Sequence, residues 1–191
     1  MFRLQCETPS LWLRIVLHDF DSFLQDHAAN ERKVSASALK LVVQHPERTE
    51  LVEALIELAR EELEHFQQVY TALRARGRGL AQDAPDPYMG ALGQVMRRRV
   101  TEEYLLDRLL TFAVVEARAC ERFDLLADAL PAGPEQDLYR HFTRAEARHH
   151  GTFTRLARAY FPQSIVEARL DEIVAAEAQI IATLPLRAAL H

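Results

Sequence analysis

The chain has 191 residues, a formal net charge of −5 at pH 7, and 49% hydrophobic and 27% charged residues. This composition predicts one globular domain over residues 1–191 and argues against a surface that coats nucleic acid generally. The sequence shows neither an apolar run long enough to cross a bilayer nor the pattern of a cleavable leader, so we expect no membrane partner. The two cysteines, Cys6 and Cys120, do not suggest a disulfide framework, which favours a reducing, cytoplasmic location.

Long stretches that lack Gly and Pro carry apolar residues at helical spacing, which predicts an all-α protein. A short helical piece is expected from Ser10, followed by four principal helices and one more near the carboxyl end. The principal helices are predicted at about 18–45, from near Pro46 to Gly77, at about 101–130, and from Pro134 to before Pro162, and the last helix at 165–183.

The connections between these helices predict their arrangement. The links around Pro46 and at 131–133 are short, and short links make antiparallel neighbours. The link over residues 77–100 is long and contains Pro85, Pro87 and Gly90, so it is expected to carry the chain back along the bundle. The predicted fold is therefore a ferritin-like four-helix bundle, made of two antiparallel helical hairpins joined by a long crossover, with extra terminal helices.

Two Glu-x-x-His strings mark the second and fourth principal helices. Glu62 and His65 form one pair, and Glu146 and His149 form the other. Residues three apart lie on one face of a helix. Both pairs interrupt an apolar stripe that is otherwise expected to face the bundle interior, so each buries a carboxylate and an imidazole that need a partner.

The first and third helices each carry a lone glutamate, Glu31 and Glu116, at the matching point of their stripes. The interval from Glu31 to Glu62 is 31 residues and that from Glu116 to Glu146 is 30. Each hairpin thus repeats the same pattern, and the four carboxylates are expected at similar heights in the bundle.

Four buried carboxylates require compensation, because desolvating each ion costs at least several kcal/mol. Two divalent cations would balance their charge, with neutral imidazoles completing the coordination. Oxygen and nitrogen ligands without a thiolate pair suit iron or manganese, and the ligand type does not exclude zinc. The competing interpretation is that these side chains are solvated and the apolar stripe is drawn one step off.

Three neighbouring residues are candidates for supporting roles. Cys120 lies one turn beyond Glu116, and we expect a small buried filler rather than a cavity-lining group. His27 lies one turn before Glu31, and we expect a satisfied core histidine rather than a residue that supports the ligand. His150 is expected to point away from the seam and to be exposed.

Four segments of the chain carry a further pattern: residues 27–33, 59–66, 115–123 and 143–149. They resemble the tRNA 2-methylthio-N6-isopentenyladenosine hydroxylase family, often called MiaE. The resemblance covers roughly residues 8–161, and the string Glu-Ala-Arg-x-Cys-Glu-Arg-Phe, which begins at Glu116, is more specific than the metal motif.

The resemblance implies a non-haem di-iron monooxygenase that hydroxylates the isopentenyl group of a hypermodified adenosine in tRNA. It implies two iron ions, with O2 as co-substrate. In that family pattern, lone carboxylates, bridging carboxylates and terminal imidazoles hold the metals. The corresponding residues are Glu31 and Glu116, Glu62 and Glu146, and His65 and His149. No other catalytic group is assigned.

The electrons are expected from an external, unidentified electron-transfer partner, because no flavin or nicotinamide fingerprint is present. tRNA is the expected substrate partner, and Arg97, Arg98 and Arg99 are the predicted phosphate contacts. Tyr88, in the same crossover, is a candidate for stacking on a splayed base.

Two other functions remain open from the sequence. A ferritin-like protein that oxidises and stores iron uses the same ligands but assembles into a hollow shell, whereas the hydroxylase is expected to be a monomer or small homo-oligomer. A metal-free helical scaffold is the third possibility, which metal analysis after expression in iron-replete medium would test.

Overall fold

A computed structural model describes residues 2–191 of the chain. Over these residues the chain forms seven α-helices and no β-strand. None of the described helices combines the length and the apolar character that crossing a bilayer requires. The helices are α1 (Ser10–His18), α2 (Phe20–Gln44), α3 (Thr49–Ala75), α4 (Pro87–Val95), α5 (Thr101–Ala129), α6 (Pro134–Tyr160) and α7 (Gln163–Thr183).

The chain forms two compact units, and one of them comprises Leu11–Pro85 and Arg187–Leu190. In this unit α2 packs against α3 as a helical hairpin. The Asp19 side chain caps α2 by accepting a hydrogen bond from the Ser22 N–H (3.2 Å). Gly77, with a φ of 73°, ends α3, because a left-handed residue lets the following N–H groups bond back to the last carbonyls.

The other unit comprises the segment up to Ser10, Asp86–Leu186 and His191. Here α5 packs along α6, and α7 contacts both α4 and α5. One face of α6 buries aromatic residues, including Phe142 and Phe153. The opposite face is charged, so the helix lies with one side in the core and the other in solvent.

Five of the helices were predicted to within a few residues, and α4 was missed. Pro85, Pro87 and two glycines made this segment look like an irregular crossover. Two signals for a helix were nevertheless present: Asp86 accepts a hydrogen bond from the Met89 N–H (2.9 Å), and proline suits the first helical turn.

A network of buried charges ties the amino-terminal segment and α7 to α5. The guanidinium of Arg118, which is fully buried, donates to Glu177 at 2.7 and 2.9 Å and also bonds Glu121. Glu121 in turn accepts hydrogen bonds from the backbone N–H and hydroxyl of Thr8 at 2.9 and 2.7 Å. Part of the Glu-Ala-Arg-x-Cys-Glu-Arg-Phe string is therefore structural.

A second buried carboxylate, Asp107 on α5, fixes the segment that precedes this helix. It accepts hydrogen bonds from the Arg97 backbone N–H (2.7 Å) and guanidinium (2.7 Å) and from Arg169 on α7 (2.8 Å). Burial alone would raise the pKa of Asp107, but the bonds from Arg169 and Arg97 lower it below the ordinary value of 3.8. The ion pairs therefore stabilise the folded state.

Replacing Asp107 by Asn is expected to reduce the free energy of unfolding by about 2–3 kcal/mol at pH 7. Because the folded-state pKa is lowered, this stabilisation is complete above the ordinary carboxyl pKa and is lost as the pH falls through the folded-state value. Urea unfolding between pH 7 and pH 3 should therefore show a smaller pH dependence for Asp107→Asn than for the wild type. Asp128→Asn, an exposed change on the same helix, is the control, and an Asp107 variant matching it would contradict the prediction.

Candidate metal centre

Glu31, Glu62 and His65 form a buried group within the α2–α3 hairpin, here called the α2–α3 triad. Their relative exposures are 4%, 1% and 3%. Each offers one ligand atom, and these atoms lie within 4.8 Å of one another. The helical seam explains the grouping, because Glu62 and His65 lie on the face of α3 that packs against α2.

The spacing within the α2–α3 triad suits a shared cation. The His65 Nδ1 lies 3.5 Å from Glu31 Oε2 and 3.4 Å from Glu62 Oε2. An ion about 2.1 Å from each of two ligands at a right angle holds those ligands about 3 Å apart. Two carboxylates and one imidazole also match the ligand preference of iron, manganese and zinc. The residues present therefore fit a metal ion.

His27 supports the carboxylate of Glu31 directly. Its Nε2 lies 2.5 Å from Glu31 Oε1, and its side chain is fully buried. Burial would raise the pKa of Glu31, but hydrogen bonding with Glu62 and the charge and hydrogen bond of His27 lower it to about 2. Glu31 is thus held as an anion. The expectation of a core histidine without a role at the ligand was wrong; the i, i+4 spacing of His27 and Glu31 was the signal for this contact.

Glu116, Glu146 and His149 lie within the α5–α6 pair, here called the α5–α6 triad. Their relative exposures are 3%, 2% and 3%. The His149 Nδ1 lies 3.1 Å from Glu146 Oε2, so the second Glu-x-x-His has the same local geometry as the first. The interpretation of these six residues as solvated is wrong, because all six are buried. That the two triads share one pair of ions stays a prediction.

A cavity of about 320 Å³ lies against α5 and α6 and is lined by residues that include Phe2, Cys120, Ala147 and His150. The expectation that His150 is exposed was wrong: its relative exposure is 5%. Its Nδ1 lies 3.3 Å from the Ala113 carbonyl oxygen, and its ring packs edge-on against Phe2 at 4.7 Å. Burial lowers the pKa of His150, which favours the neutral imidazole.

Cys120 is half-buried and lines this cavity, so it is more than a core filler. Burial, followed by the negative charge of Glu146, raises the pKa of its thiol to about 11. Its Sγ lies 3.4 Å from the Thr143 carbonyl oxygen. The side chain is therefore a neutral thiol at physiological pH and not a thiolate ligand.

The three arginines predicted to contact tRNA differ in their surroundings. Arg97 is paired with Asp107 and Glu103, and Arg98 donates to the Gly93 carbonyl oxygen (2.8 Å). Arg99 is exposed. Tyr88 is fully buried and donates to Glu177 (3.3 Å), so it cannot stack on a base. A role of Arg97, Arg98 and Arg99 in tRNA binding stays a prediction.

Helix pairs that each bury a lone glutamate and a Glu-x-x-His define the class of this protein: an all-α protein whose carboxylate–histidine groups suit a metal ion. Over residues 2–191 the sequence matches the family model described as tRNA-(MS[2]IO[6]A)-hydroxylase (MiaE). The chain belongs to this family, which confirms the resemblance and makes it a member of a family of hydroxylases.

Two relatives and one solved structure agree with this assignment. A tRNA 2-(methylsulfanyl)-N(6)-isopentenyladenosine(37) hydroxylase of Pseudomonas putida is 32% identical over 181 residues, which are 93% of this chain and 86% of that protein. The enzyme of the same name from Salmonella typhimurium is 32% identical over 157 residues, which are 82% of this chain and only 56% of that longer protein.

The solved structure is "Protein 43 with aldehyde deformylating oxygenase activity from Synechococcus". It has a TM-score of 0.94 and 31% identity, and the match covers 100% of this chain and 96% of that one. The predicted ferritin-like, all-α fold is thereby confirmed.

Proposed function

We propose that this protein hydroxylates the isopentenyl group of 2-methylthio-N6-isopentenyladenosine in tRNA, using O2 and a pair of iron ions. One observation carries this proposal: in a member of the MiaE family, both Glu-x-x-His motifs and both lone glutamates are buried within their helix pairs. The named relatives supply the substrate, since both are hydroxylases of this adenosine.

The proposed ligands are the α2–α3 triad and the α5–α6 triad together. Their four carboxylates would carry four negative charges, which two divalent ions neutralise, while His65 and His149 add coordination without charge. Glu62 and Glu146 are proposed to bridge the ions, with Glu31 and Glu116 as the remaining carboxylate ligands. Iron is preferred over manganese because the reaction uses dioxygen.

The bound irons would supply the redox chemistry that places one oxygen atom of O2 in an allylic C–H bond and releases the other as water, with two electrons and two protons consumed. The protein's own residues have separate tasks. His27 holds Glu31 in place, and burial of both triads keeps water from the reacting atoms. Cys120 stays a neutral thiol, which leaves coordination to oxygen and nitrogen ligands.

The electrons are proposed to come from a separate electron-transfer protein. The proposed place of action is the cytoplasm, where tRNA is found.

Nucleoside mass spectrometry of tRNA from cells with and without this protein tests the proposed reaction. The prenylated adenosine is expected to gain one oxygen only in cells that contain the protein. Restoring the wild-type gene should restore the oxygenated nucleoside, whereas restoring a Glu146→Ala variant should not. Equal amounts of the oxygenated nucleoside in all strains would contradict the proposed function.

A further inference from the structure

The solvent face of α6 carries five arginines: Arg140, Arg144, Arg148, Arg155 and Arg158. All five are exposed. At 3.6 residues per turn they lie within about 80° of the helix circumference, so they form one stripe, here called the α6 arginine stripe. Its direction is opposite to the core face of α6, which carries Phe142, His149 and Phe153.

The charge of the stripe is concentrated and not balanced along its own helix. Between Arg140 and Arg158 the only acidic residue is Glu146, which is 2% exposed and belongs to the α5–α6 triad. The whole chain has a net charge of −5. A solvent face with five positive charges and no exposed acid is therefore a marked local departure from the rest of the chain.

The dimensions and chemistry of the stripe suit a phosphodiester backbone. Arg140 and Arg158 are separated by about 27 Å along the helix axis at 1.5 Å per residue, a length that spans several successive phosphates. The guanidinium group binds phosphate oxygens in pairs, which a lysine cannot do. A row of arginines on one helix face thus offers repeated contacts to a repeating anion.

The cavity beside α5 and α6 adjoins the stripe. Ala147, which is exposed, lines the cavity and lies on α6 between Arg144 and Arg148. The cavity also touches Cys120 and His150, and its volume of about 320 Å³ lies at the small end of the range for ligand sites. RNA that follows the stripe would pass the mouth of this cavity.

We propose that the α6 arginine stripe docks the phosphate backbone of the RNA substrate, an inference that rests on the proposed function. RNA is favoured over an acidic protein because the positive charges repeat at regular intervals on one face. The stripe then provides most of the salt-dependent affinity. Arg97 is already paired with Asp107, so it contributes less.

The test compares two triple variants with the same loss of charge. Arg140, Arg144 and Arg158 are replaced together by Gln, since none of them adjoins a proposed metal ligand. The matched control replaces Arg14, Lys40 and Arg60, which are exposed on α1, α2 and α3, by Gln. Binding of full-length prenylated tRNA to the iron-loaded proteins is measured over a series of salt concentrations, and hydroxylation is measured with the same tRNA.

The stripe variant is expected to bind roughly tenfold more weakly at 0.1 M salt, and the slope of log K against log salt should fall by about 2–3. KM should rise while kcat is kept, and the control should match the wild type. A stripe variant with wild-type slope and KM overturns the proposal, as does an equal loss in the control. A larger loss on replacing Arg97, Arg98 and Arg99 would also overturn it.

The binding measurement does not depend on turnover, which separates the two proposals. If the wild type binds tRNA without hydroxylating it, the proposed function fails, and the salt slopes still decide whether the stripe docks RNA. If the wild type hydroxylates tRNA and the stripe variant keeps its slope and KM, only the docking proposal fails.

Discussion

Replacing Glu62 by Ala is expected to abolish hydroxylation and to lower iron content while leaving the protein helical. Loss of groups that only support a metal ligand costs 10–100-fold in metal affinity or activity, so loss of a ligand should exceed about 100-fold. His149→Ala, in the other triad, should have the same effect. Iron per chain, tRNA turnover and far-ultraviolet circular dichroism are the three measurements.

The chain offers close controls for both variants. Glu64 is exposed on α3, two residues from Glu62, and His141 is exposed on α6. Glu64→Ala and His141→Ala are expected to keep iron and turnover near wild-type values. A Glu62→Ala or His149→Ala protein with near-normal turnover would show that the ligand assignment is incorrect.

Replacing Glu177 by Ala is expected to reduce the free energy of unfolding by about 3–5 kcal/mol. Both Glu177 and its partner Arg118 have side chains with 0% exposure, and removing one member of a buried pair leaves an uncompensated charge. For a protein of this size the melting temperature should fall by roughly 10 °C. Urea and thermal unfolding measure the two quantities.

Glu177→Gln and Asp171→Ala separate the causes of this loss. The first keeps the shape of the side chain and should lose less stability than Glu177→Ala. The second removes an exposed carboxylate from the same helix and should change the stability by less than about 0.5 kcal/mol. Similar stability of Glu177→Ala and Asp171→Ala would refute the importance of the buried pair.

The helices and the burial of six candidate ligands were predictable because both follow from local periodicity. Glu62 and His65 interrupt a stripe of leucines on α3, and the same break recurs on α6. Such breaks are visible in the sequence because helical spacing fixes which residues share a face. Family resemblance added the substrate, which no spacing could supply.

The errors concern contacts between residues that are distant in sequence. His150 was expected in solvent, but the amino-terminal segment covers it, with Phe2 against its ring. Arg97 was read as a free cation, whereas it is paired with Asp107, which is also bound by Arg169. The α6 arginine stripe was missed because attention went to arginines adjacent in sequence rather than to one face of a helix.

The two sides of α5 are anchored separately. Glu116 faces its triad, and Arg118, about 200° around the helix from it at 100° per residue, is held by Glu177 and Glu121. A slip of one residue along the helix would rotate both groups away from their partners at once. The rotational phase of this helix is therefore locked twice within a single turn, and a variant that loosens the outer lock should disturb metal loading without touching a ligand.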